Sequence, residues 1–192
     1  MIPGGCQMTL PDTPLSPEAA SLLARIRPRV TSRLLEVNSV PVGILLWGPG
    51  ISTPSPLASV RLGLRTLLRQ NGHAAVYSEE ICDSGAPYSI RLQQLAQAQE
   101  FDLIVSIPAT PGAVGEVHDF AADRRVNAKL LVFLNQEQLS GYSPQSLKAV
   151  STIVSCQIEY YSCATNTDII TQRTMEEAQR IREMKYILAG RF

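Results

Sequence analysis

The residue with the most chemical promise is Glu116, in the segment IPATPGAVGEVHDFA that spans residues 107–121. An apolar run ends at Ile107, a Pro/Gly-rich loop turns over the end of a strand, and the pattern then predicts a helix with Gly115 and Glu116 in its first turn. Loop amides and the positive end of a helix dipole both favour an ionised carboxylate at such a place. Beside a sugar, an ionised carboxylate can attack the anomeric carbon or stabilise an oxocarbenium ion. An acidic residue in a first turn also simply suits the dipole, so this stretch alone leaves both roles open.

Other candidates lie in segments that follow apolar runs. WGPGIST, residues 47–53, stands between a predicted strand and a predicted helix, where Gly48, Gly50, Ser52 and Thr53 can line an anion site or merely turn and cap the chain. It has neither the GxGxxG spacing of a dinucleotide fold nor the Lys-Ser/Thr of a P-loop. Trp47, the one tryptophan, can stack on a base or close the core. Glu79 and Glu80, in VYSEE, are substitute acids or diol ligands if they are not simply solvated, and Tyr88, in SGAPYS, can cover a nucleobase or anchor its loop. Pro108, Thr110 and Gly112 complete the set of candidate ligand contacts with Gly115. His118 falls about 200° around the helix from Glu116, which argues against a shared active site. His73, beside Gly72 at a helix-to-strand turn, reads as a surface histidine.

The elements that must position these residues alternate. Val42–Trp47, Ala74–Tyr77, Leu103–Ile107, Leu130–Leu134 and Gln157–Tyr161 read as strands. Between and after them, Leu57–Asn71, Ile90–Gln99, Val114–Arg125, a short stretch near Pro144–Val150, and Asp168 to Leu188 read as helices. The strands are too apolar to have a wet face. This implies an α/β domain, a parallel sheet of about five strands covered by helices on both sides, with its ligand crevice at the strands' carboxyl ends. Residues 1–15 read as a flexible lead-in, 16–38 as an N-terminal helix opened by Ser16-Pro17-Glu18, and 40–192 as the domain.

Composition narrows the classes. The chain has 192 residues, 45% hydrophobic and 18% charged, enough to fill one core. Its 17 basic residues balance 17 acidic ones, which disfavours an extended nucleic-acid partner. No apolar run approaches a membrane span, and the opening residues lack a secretory pattern, so a cytoplasmic protein is expected. Cys6, Cys82, Cys156 and Cys163 form no CxxC pair, which supports neither a zinc site nor a disulfide framework.

Taken together, VGILLWGPG, VYSEE and FDLIVSIPATPGAVGEVHDFA resemble the nucleoside 2-deoxyribosyltransferase, TIR-like and SLOG group of nucleotide-handling flavodoxin-like domains. The resemblance runs over about residues 42–190, and its specific part is the stretch from the Asp before the third strand through the Glu that opens a helix. It implies a three-layer flavodoxin-like fold and a nucleoside, nucleotide or NAD ligand. Glu116 would act on the N-glycosidic bond, Gly112 and Gly115 would admit a ribose or phosphate, and neither metal nor redox cofactor would be required. It also implies a homo-oligomer, or, in the SLOG manner, a nucleotide-sensing module that signals to a partner without catalysis. Asp102 matches the residue that begins the third strand, away from the crevice. Deoxyribosyltransferases usually carry an acidic residue several positions before the Glu, where this chain has Ala109-Thr110-Pro111.

Overall fold

The computed structural model describes residues 14–52, 54–138, 155–163 and 166–189. The chain divides into two compact units, Met1–Val37 and Asn38–Phe192. The first unit contains α1, Pro17–Val37. Ser16 caps it as expected, accepting a hydrogen bond from the Ala19 N–H at 3.2 Å, and Pro28 lies inside the helix.

In the second unit, β1 (Gly43–Trp47), β2 (Ala74–Tyr77), β3 (Leu103–Ser106), β4 (Leu130–Asn135) and β5 (Gln157–Tyr161) form one sheet in the order β2-β1-β3-β4-β5. All four pairings are parallel. This is the doubly wound order in which the chain reverses direction across the sheet between β1 and β3. Side chains alternate between the two faces of each strand. Ile44, Leu46, Leu103, Val105, Leu131 and Phe133 therefore pack with α2 (Pro56–Gln70) and α6 (Asp168–Ala189), through Leu64, Leu68, Ile170 and Ala178. Leu45, Trp47, Ile104, Leu130, Val132 and Leu134 pack on the other face with Ala98 of α4 (Ile90–Glu100) and with Val114, Val117, Phe120 and Ala121 of α5 (Pro111–Ala121). β3 and β4 are buried at every position, the burial that predicts a parallel sheet with two covered faces.

Three local expectations need correction, and one short helix adds to the expected elements. α5 begins at Pro111 and ends at Ala121, where the apolar pattern suggested Val114 to Arg125. Thr110 is its N-cap, accepting from the Ala113 N–H at 3.2 Å, and a proline at the first helical position has no N–H to lose. Likewise Ser55, followed by Pro56, caps α2 by accepting from the Ala58 N–H at 3.1 Å, so Ser52 does not. The segment after β2 is a short helix, α3 (Ser78–Ile81), with Glu80 accepting from the Tyr77 N–H at 3.0 Å. His73 is 5% exposed and no surface residue, because Arg182 of α6 reaches across to it. The helix expected near Pro144–Val150, Cys6 and Thr53 fall outside the described residues.

Gly72 ends α2 with a φ of +79°, a left-handed conformation that a side chain would strain. Its place lets the chain turn directly from α2 into β2. At the same end of the sheet Asp102 accepts a hydrogen bond from the Gly43 N–H at 2.8 Å and pairs with Lys185 at 2.6 Å. Asp102 thus ties β3, β1 and α6 together at the edge opposite the crevice.

Candidate functional site

A cavity of about 280 Å³ opens at the carboxyl ends of β1, β2 and β3, over the point where the strand order reverses. Trp47, Gly48 and Pro49 come from the exit of β1, Ser78 and Glu79 from that of β2, and Ser106, Pro108, Ala109 and Thr110 from that of β3. Gln94 of α4 and Ala113, Glu116, Val117 and Phe120 of α5 close it. Trp47 and Phe120 stack with ring centroids 4.7 Å apart at 47°, so the tryptophan both closes the core and walls the cavity.

Six of the sequence candidates meet here: Trp47, Gly48, Glu79, Pro108, Thr110 and Glu116. The others stand elsewhere. Tyr88 is 61% exposed and outside the cavity lining, where its carbonyl accepts from Gln93 at 3.1 Å. Gly50, Ser52 and Glu80 also lie outside that lining. Gly112 is in the first turn of α5, and Gly115 follows in the second with open space where a side chain would stand. Because α5 starts early, Glu116 is in the second turn too, an exposed residue whose carboxylate makes no ion pair or hydrogen bond among the described residues. The expected support from first-turn amides is therefore lacking. His118, half-buried, has its Nδ1 3.8 Å from Asp119.

Glu79 has a different role from the one its position suggested. Arg61 of α2, fully buried, donates to both of its carboxylate oxygens at 2.6 and 2.7 Å. The same guanidinium donates to the Leu46 carbonyl at 2.6 Å and to that of Pro49 at 3.0 Å, and it lies 4.3 Å from the centroid of the Tyr77 ring. Arg61 thus fastens the β1 exit loop and α3 to α2 with bidentate, charge-assisted bonds. Burial pushes the Glu79 carboxyl up, but the Arg61 hydrogen bonds and charge outweigh this and hold it below the usual carboxylate range. A glutamate held ionised in this way is a poor proton donor. Glu80 is held by Arg65 at 2.5 Å, and its hydrogen bond from Tyr77 keeps its carboxyl low as well. Neither is the free acid that the sequence allowed.

Gly48 fits this framework closely: a Cβ there would come 3.2 Å from the Ile107 carbonyl and 3.3 Å from Arg61 Cδ. Arg61 itself escaped sequence reading, although a signal existed. It occupies the apolar face Leu57, Arg61, Leu64, Leu68, and an arginine at a core position demands buried acceptors. Ser106 was missed too; it is the polar residue in the apolar strand LIVS.

No group of His, Cys, Asp and Glu able to hold a metal occurs among the described residues, and no described helix is long and apolar enough to cross a membrane. No protein-family model and no curated protein matches the chain.

Proposed function

We propose that the cavity binds a nucleoside-type ligand and that Glu116 promotes cleavage of its N-glycosidic bond. The observation that carries the reading is the placement of Glu116: a carboxylate without a partner among the described residues faces a cavity with an aromatic wall, at the topological switch point of a parallel sheet. The resemblance of residues 101–121 to the deoxyribosyltransferase and TIR-like domains supports the same assignment. As the bond breaks, its electron pair leaves with the base and positive charge grows on the anomeric carbon. Glu116 stabilises that charge or traps the carbon as an ester, and water or another acceptor then supplies the new oxygen or nitrogen bond. A reducing, cytoplasmic setting and a homo-oligomeric assembly belong to this reading.

One observation favours a second reading, a sensor that binds the same ligand and signals to a partner. The described cavity lining holds no His, Lys, Cys or Tyr, and its other carboxylate, Glu79, is occupied by Arg61. Protonation of the leaving base then has no evident protein donor. The experiment that decides is incubation with NAD, ribonucleosides, deoxynucleosides and their phosphates, followed by chromatography for free base. Glycosidic cleavage predicts base release that falls about a hundredfold or more in Glu116→Gln, the scale on which one electrostatic stabiliser acts. Ligand-dependent stabilisation without release from any member leaves the sensor.

A further inference from the structure

We propose that Ser106, with Trp47 beside it, reads the hydrogen-bonding edge of a heteroaromatic base that enters the cavity ahead of its sugar. The inference rests on the reading of the cavity as a nucleoside site and adds its orientation and its specificity residue. Ser106 ends β3 and is the direct register partner of Trp47 on β1. Both line the cavity, so their side chains share one face of the sheet. Ser106 is 2% exposed, and its hydroxyl makes no hydrogen bond among the described residues. Trp47, 8% exposed, has an indole Nε1 that is closed off from solvent and has no partner among the described residues either.

Other buried hydroxyls find partners, although Tyr161 Oη and Arg61 Nε are also buried without one among the described residues. Ser78, in the same lining, meets Gln97 at 2.7 Å, and buried Thr174 donates to the Ile170 carbonyl at 2.7 Å. A buried polar group left unpaired costs free energy that a ligand atom can recover. The indole N–H can only donate, whereas the serine hydroxyl donates and accepts, so the complementary edge carries an acceptor such as a ring carbonyl. Phe120 and Val117 supply apolar contact for a flat ring. A phosphate suits this floor poorly, because the charged groups of the described lining, Glu79 and Glu116, are both acidic. With the base on the floor, its sugar lies toward exposed Glu116.

The test is calorimetric binding to the full chain of two nucleoside pairs, inosine against purine riboside and uridine against pyrimidin-2-one riboside, each pair differing by one ring oxo group and the ring N–H that accompanies it. Wild-type protein is expected to bind the oxo member of at least one pair about tenfold tighter. Ser106→Ala should bring that ratio close to one, and Trp47→Phe should reduce it while keeping the ring. An unchanged ratio in Ser106→Ala overturns the proposal, as does binding of none of the four. If the ratio responds to Ser106 but no base is ever released, the floor stands and the cleavage reading falls. Release that depends on Glu116 with an unchanged ratio does the reverse.

Discussion

At the two ends of the sheet, polar groups are used in opposite ways. Below the strands, Arg182 of α6 donates to the carbonyls of Val40 and Asn71 and contacts His73, while Asp102 joins Lys185 to the Gly43 amide. Each of these groups meets a partner from a different element, which is how polar groups brace a fold. Above the strands, Glu116 and Ser106 have no partner among the described residues, although both face a cavity. Arg61 and Glu79 stand above the strands but follow the lower pattern. Two carboxylates at the same crevice thus differ in one respect: Glu79 is paired by Arg61, whereas Glu116 has no partner among the described residues.

The largest expected effect comes from breaking the Arg61–Glu79 pair, whose arginine is the fully buried one at the upper end. Glu79→Ala takes the counter-ion from the buried Arg61 guanidinium, and because the Glu79 side chain is itself 47% exposed, so that water reaches the vacated place, a loss of about 2–3 kcal/mol is expected in urea denaturation. A loss below about 1 kcal/mol would return Glu79 to the list of functional acids. At the lower end, Arg182→Met removes the donor for two backbone carbonyls and should cost about 1–3 kcal/mol while leaving ligand affinity unchanged. A large change in affinity would mean that the two ends are not separable.

The pH dependence sharpens the contrast through the same lower cluster. Burial, aided by the nearby Arg182 charge, pulls the His73 pKa from 6.5 down to about 4. The unfolded chain thus binds more protons than the folded one between these values, so His73's contribution is full above pH 6.5 and is lost as pH falls toward about 4. Glu79, with its depressed pKa, contributes above the usual carboxylate range and loses that contribution at lower pH still. Denaturation midpoints measured across pH 4 to 7 should fall on acidification, and His73→Asn should flatten the upper part of that slope. The smallest effect is expected from Glu116→Ala, within about 0.5 kcal/mol of wild type, since an exposed and unpartnered side chain braces nothing. A cost as large as that of Glu79→Ala would place Glu116 among the bracing groups and remove the basis for its catalytic assignment.

Much of the fold was legible because it depends on short-range pattern. Apolar runs such as LIVS and LLVFLN announce doubly covered strands, Ser16-Pro17 and Gly72 punctuate helices, and the β-α alternation leads to a parallel sheet with its crevice at the strand exits. Helix starts were less legible. Thr110-Pro111 and Ser55-Pro56 are cap signatures that override the apolar period, and the three residues by which α5 starts early move Glu116 out of the first turn.

Strand polarity and chain order alone lead to the layered architecture and bring Glu116, Trp47 and Glu79 to the crevice. Which of them is taken up by a protein partner depends on how the elements pack. Pairing is a property of distant residues: Arg61 reaches Glu79 across 18 positions of sequence, and Arg182 reaches His73 across 109. No local pattern encodes such contacts, since they arise only when sheet and helices pack. That packing spends Glu79 on the fold and leaves Glu116 and Ser106 without protein partners among the described residues.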